Sequence, residues 1–160
     1  MDIKEITASH VDEIVRLNEA VVAVTSPMDA QRVMDMLNMG ATGFVTEEGA
    51  RLTSFILIMD MAVPYENDNF AWFTDRVGSF VYVDRIVVSQ EGRGQGIGQA
   101  LYQKTYDYGR AMGRSNVCAE VDFDPPNVPS LVFHEKAGFI QRGTRATQLG
   151  KTEAMLVKEL

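Results

Sequence analysis

Residues 87–106 read VVSQEGRGQGIGQALYQKTY, and glycine occupies every second position from Gly92 through Gly94 and Gly96 to Gly98. Ahead of them runs SFVYVDRIVVS, residues 79–89, whose β-branched and aromatic content marks the strongest strand in the chain. Behind them Ile97, Leu101, Thr105, Tyr108 and Met112 recur at the spacing of a buried helical stripe, which Gly113 closes. A strand, a glycine-rich turn and a helix start make an anion site. The first helical N–H groups lack intrahelical partners, the helix dipole adds about half a positive charge, and glycine lets amides approach an oxyanion with no Cβ in the way.

Spacing separates the phosphate binders that share this plan. A Walker loop needs a Lys and then Ser or Thr after its second glycine, and neither follows here. A dinucleotide fingerprint needs glycine at 97 or 99, where Ile97 and Gln99 stand, and it belongs near a first strand, whereas this turn lies mid-chain. What remains is Arg-x-x-Gly-x-Gly, as Arg93, Gly96 and Gly98. A second block follows at 127–139, NVPSLVFHEKAGF, where Asn127 opens a helix, Pro129 is tolerated in its first turn and Gly138 ends it before Phe139.

In these two ordered blocks the sequence resembles the GNAT superfamily of acetyl-CoA-dependent N-acyltransferases, clearly from Tyr82 to Phe139 and loosely in the order of the remaining strands and helices. The resemblance implies an α/β fold over a single domain, residues 1–160, with a central mixed, mostly antiparallel, bent sheet of six to seven strands flanked by about four helices. It implies acetyl-CoA (coenzyme A) as co-substrate and no metal. The CoA pyrophosphate would rest on the backbone of Arg93, Gly94, Gln95, Gly96, Ile97 and Gly98. The strand before the turn would splay at a bulge and offer the backbone of Ile86, Val87 and Val88 to the pantetheine amides. Asn127 and Phe133 complete the cofactor side, although helix capping alone also accounts for Asn127.

Relatives often carry Tyr just before the Glu-Lys pair of the second block, where it protonates the departing thiolate; here that position is His134. A His donates a proton near neutral pH, and positioned acid–base help is worth about 10²–10⁴ in rate. Tyr82 or a water is the alternative donor. A thiolate, whose conjugate acid has a pKa near 8.5, also departs with little protonation. The attacking amine must lose a proton first, which asks for a carboxylate or an ordered water. Asp84 lies on the strand entering the turn, and Glu120 and Asp122, two apart on the next strand, face one side. Glu120 is the first candidate base, against an ion pair to Arg85 or Arg114. Trp72, Phe73 and Tyr82 are candidate walls of the acceptor site, or plain packing.

The rest of the chain is consistent with this. DIKEIT reads as a strand, and SHVDEIVRLNEAVV as a helix capped by Ser9 with Val11, Ile14, Val15, Leu17 and Val21 on one face. SPMDAQRVMDMLNMG reads as a helix with Ser26 as cap and Pro27 in first position. Two strands flank Gly49, and 64–78 reads as a loop with one helical turn. SNVCAEVDFD and two final strands, FIQRGTRATQ and KTEAMLVKEL, complete the order.

A net charge of −7 and an isoelectric point near 4.8 disfavour nucleic acid as a partner. No apolar run approaches the roughly 20 residues of a membrane span, no leader is evident, and the single cysteine, Cys118, suits a reducing cytoplasm. Cys118 has no His assigned near it, so attack by the amine itself, without a covalent enzyme intermediate, is the expected chemistry. The acceptor is a small-molecule or peptide amine. A different acyl-CoA, a non-catalytic CoA-binding sensor and a nucleotide-binding module stay open, as does a homodimer through the apolar EAMLVKEL segment if it lies at a sheet edge.

Overall fold

The computed structural model describes residues 1–160. Its strands are β1 (Ile3–Glu5), β2 (Thr42–Glu48), β3 (Arg51–Asp60), β4 (Val81–Val88), β5 (Asn116–Asp124), β6 (Ile140–Ala146) and β7 (Thr152–Glu159). Its helices are α1 (Val11–Glu19), α2 (Ala30–Met39), α3 (Asp68–Arg76), α4 (Ile97–Ala111) and α5 (Val128–Lys136). All seven strands join one sheet in the order β1-β2-β3-β4-β5-β7-β6, and every neighbouring pair is antiparallel except β4 with β5. This is the mixed, mostly antiparallel α/β fold that the sequence implies.

Alternation along the strands builds two cores. Phe55, Leu57 and Met59 of β3 pack with Ile14, Val33, Phe70 and Phe73, so α1, α2 and α3 cover one face. Ile56 and Ile58 pack with Leu101, Tyr102 and Phe139, so α4 and α5 cover the other.

The extra helix is α3, in a stretch that reads from sequence as a loop with a single turn. The Asn67 side chain accepts from the amides of Asn69 and Phe70, and Phe70 and Phe73 are buried against the sheet, which together carry a polar segment into nine helical residues. Helix α2 starts later than expected: Asp29, not Ser26, accepts from the amide of Arg32. Thr7, not Ser9, precedes the 3-10 turn at Ala8–His10 that leads into α1. The buried stripe of α4 is Ile97, Leu101, Tyr102, Thr105, Tyr106 and Gly109, rotated from the one read in sequence, with Met112 exposed. Strand β7 lies between β5 and β6, so EAMLVKEL is interior and β6 forms that edge.

Two irregularities shape the centre of the sheet. Leu57 pairs with Arg85 but Ile58 with Val83, which leaves Asp84 as an extra residue, a bulge in β4. Its effect is an inversion of side-chain alternation: Val81 and Val83 face the α4 side before it, and Ile86 and Val88 face that same side after it. The second is the β4–β5 pairing, which comprises only Val81 with Val117 and Tyr82 with Cys118. Beyond these residues the two strands part.

Candidate active site

Where β4 and β5 separate there is a cavity of about 400 Å³ lined from both faces of the sheet. Val83, Asp84, Arg85 and Ile86 form one wall and Ala119, Glu120, Val121 and Asp122 the other. Tyr65, Asn67 and Asn69 line it from the α3 side, and Tyr102, Asn127, Ser130 and His134 from the side of α4 and α5.

Glu120 and Tyr82 lie on the α3 face. The Tyr82 hydroxyl donates to both carboxylate oxygens of Glu120 at 2.8 Å. Burial, and then the neighbouring Glu153 and Asp84, push the Glu120 carboxyl up to about 8. Neither ion pair anticipated for it forms, because Arg85 Nε pairs with Asp84 at 2.7 Å and Arg114 Nε with Asp60 at 2.6 Å. Glu120 is thus a carboxyl with no cation partner, held above the ordinary range. Asp84 is more committed: it also accepts from the Tyr65 hydroxyl at 2.5 Å. Asp122 pairs with Lys151 at 3.2 Å. Glu153, across the β5–β7 ladder from Asp122, has a buried Oε2 with no hydrogen-bond partner.

His134 is 3% exposed. Its Nδ1 lies 2.7 Å from the Ser130 carbonyl, which only accepts, so Nδ1 carries a proton. Nε2 lies 2.7 Å from the Tyr102 hydroxyl. Burial pushes His134 down, favouring the neutral ring, and Nε2 of that tautomer accepts the Tyr102 proton. In this arrangement the imidazole has no proton to offer at Nε2, in contrast to the donor role read from the sequence. The hydroxyl of Tyr102, kept protonated by burial, is the donor of that hydrogen bond.

The glycine turn adjoins this face. Gly94 and Gly96 have φ of 77° and 76°, the left-handed region, and a Cβ at either would meet nothing within 4 Å. No side chain caps α4, so its leading amides are free for an anion. A Cβ on Gly98 would come to 3.3 Å from Phe133, and glycine there lets α4 approach α5. Ser89 accepts from the Gly92 amide and holds the turn that precedes Arg93, Gly94 and Gln95. Such a seat, beside two parted strand edges at Ile86, Val87 and Val88, fits an elongated ligand with an anionic middle.

None of the three expected aromatic walls lines the cavity: Tyr82 is fully buried and meets the site only through its hydrogen bonds to Glu120. Phe73 is fully buried in the core, and Trp72 stacks under the Arg76 guanidinium at 4.3 Å and covers Gly143. Cys118 is buried, and burial raises its thiol. Tyr65, Tyr102 and Glu153 are contributors that sequence reasoning missed. Tyr102 follows Leu101 in the α4 stripe, and a polar-tipped aromatic beside a buried helical position was the one available signal.

Comparison with known proteins gives the family. The smu.2055 protein of Streptococcus mutans UA159 has the same fold, with a TM-score of 0.79 at 16% identity over 99% of each chain. Ribosomal-protein-alanine N-acetyltransferase from Brucella melitensis matches with a TM-score of 0.74 at 17% identity over 100% of each. The Salmonella typhimurium protein yncA, solved with its cofactor acetyl-CoA, matches with a TM-score of 0.74 at 19% identity over 100% of this chain and 94% of that one. No curated protein matches in sequence. No helix is long and apolar enough to cross a membrane. Residues 27–139, which take in both the glycine turn and the helix that Asn127 caps, match the model of the acetyltransferase (GNAT) family, and the chain belongs to that family.

Proposed function

We propose that the chain is an N-acetyltransferase that moves an acetyl group from acetyl-CoA to a primary amine by direct attack in a ternary complex. The observation that carries this reading is the opening between β4 and β5, with an uncapped helix start and glycine turn on one face and the unpaired Glu120 on the other. Acetyl-CoA supplies a thioester carbonyl. The backbone from Arg93 to Gly98 holds its pyrophosphate, the β4 edge at Ile86 and Val88 orients its pantetheine arm, and Asn127 and Phe133 flank it.

On the opposite face Glu120, oriented by Tyr82, takes a proton from the incoming ammonium, leaving the neutral amine that attack requires. The N–C bond forms, the C–S bond breaks and its electron pair stays on sulfur. The amide nitrogen sheds its second proton, which balances the thiolate. As that charge develops, the single O–H of Tyr102 turns from His134 Nε2 and donates a hydrogen bond to it; its raised pKa means that it lends the proton rather than surrendering it.

Thermal shift against acetyl-CoA, free CoA, NAD and ATP tests the ligand class, and stabilisation by acetyl-CoA and CoA is expected. A shift with NAD alone defeats the reading. Thiol release across an amine library then separates an enzyme from a CoA sensor. Exchanging His134 for Ala is expected to lower kcat about tenfold with acetyl-CoA affinity nearly intact. Tyr102→Phe should match it, and the double variant should be no worse than either, because the two act as one unit. Unchanged turnover in both single variants removes this pair from the mechanism.

A further inference from the structure

The ionisable groups that line the cavity are not evenly partnered. Arg85 is ion-paired and largely committed: Nε donates to Asp84, Nη1 to Asn18 and the Ser26 carbonyl, and Nη2 to the Ser26 hydroxyl. Lys151 donates to Asp122 and the Ala23 carbonyl. Among the lining residues this leaves one cation, Arg32, and two carboxyls, Glu120 and Glu153. The Arg32 guanidinium makes no hydrogen bond or ion pair; it lies 5.7 Å over the ring of Tyr65, whose hydroxyl reaches down to Asp84 in the cavity wall. Arg145, opposite Glu153 on β6, is directed to Asn69 and Asp68.

The ionisable groups left without a counter-ion are therefore segregated. Arg32 is exposed at the α2 rim, and the two carboxyls sit inside on β5 and β7, where alternation turns both to the α3 face. We propose that the acceptor is an amine that also carries a carboxylate, an amino acid or close derivative, with its ammonium against Glu120 and Glu153 and its carboxylate on Arg32. A polyamine would want a second carboxylate where Arg32 stands. Guanidinium stacked on an aromatic ring is pre-organised for bidentate contact with a carboxylate, which a lysine there would not be. This assignment rests on the reading of the cavity as the acceptor site of an N-acetyltransferase, and the reaction is the one above, with the α-amine as nucleophile.

The test compares kcat/KM, by thiol release with mass detection of the product, for a panel of amino acids against their decarboxylated counterparts, such as leucine with isoamylamine and phenylalanine with phenethylamine, and for spermidine. At least one amino acid is expected to exceed its counterpart by about tenfold to a hundredfold, the usual effect of a charge-assisted contact. Arg32→Gln is expected to bring that ratio toward unity, and comparing ratios between parent and variant cancels the differing basicity of the amines. Simple amines or spermidine acetylated at least as well as every amino acid, or a ratio that survives Arg32→Gln, overturns the assignment while leaving the acetyltransferase intact. Absence of any acetyl-CoA shift and of thiol release with every acceptor overturns both.

Discussion

Glu120→Gln is expected to lower kcat for amine acetylation by about 10²–10⁴-fold with little change in acetyl-CoA affinity, measured by thiol release and by titration of the donor. The size of the effect follows from the proton that must move. An alkylammonium with a pKa of about 10.4 would give its proton to an ordinary carboxylate only at a cost of about 8 kcal/mol, since each pKa unit is about 1.4 kcal/mol. With Glu120 pushed up to about 8, the mismatch falls to about two and a half units, or about 3 kcal/mol. Gln keeps the shape and the contact with Tyr82 but accepts no proton.

The sign of the pH dependence follows from the same group. Glu120 in the free cavity is protonated below about 8, and only its carboxylate serves as base, so kcat/KM should rise with pH through that value. The variant should lack this limb; an identical profile in parent and variant rejects Glu120 as the base. Stability should move the other way. The folded pKa is raised above the ordinary 4.5, so the contribution of this group to stability is full below 4.5 and is lost as pH rises through about 8. Glu120→Gln should therefore melt above the parent at pH 9, with a smaller advantage at pH 6.

The second large effect is at the glycine turn. Replacing Gly96 by Asp is expected to abolish CoA binding, with a loss of about 10³-fold in affinity, because two negative charges about 4 Å apart at an effective dielectric of 20 repel by about 4 kcal/mol. The positive φ of Gly96 and the open space around it make this a test of charge. Asp and Asn both tolerate the left-handed region, so Gly96→Asn carries nearly the same backbone cost without the charge. Isothermal titration with CoA should find Asn weakened far less than Asp. Normal affinity in the Asp variant would move the pyrophosphate seat elsewhere.

The glycine turn proposed for the donor was legible because the elements that build it are local. A strand, a glycine turn and a helix start adjoin in the chain, so Arg93, Gly96 and Gly98 declare themselves by spacing. The acceptor side depends on alignments that no local pattern records. The bulge at Asp84 inverts the facing of everything after it in β4, and a strand read with strict alternation misses this. Glu153 enters through the pairing of β7 with β5, 30 residues or more from the other wall residues in sequence. Trp72 and Phe73 looked like cavity walls because 64–78 looked like a loop; once Asn67 caps α3, helical geometry turns Phe73 into the core. Tyr102 and His134 meet only because two helices cross, and their hydrogen bond changes what the imidazole does.

The near absence of pairing between β4 and β5 also has a mechanical meaning. Two residue pairs are the whole ladder between the β1–β4 half of the sheet and the β5–β7–β6 half, so the sheet resembles two plates sharing a short seam. Helix α4 spans that seam as a brace, packing on β2, β3 and β4 and on β5. On the proposed reading, an extended ligand lying in the gap between β4 and β5 would add the rungs that the strands themselves omit, and a bound substrate would also serve as a structural member of the sheet.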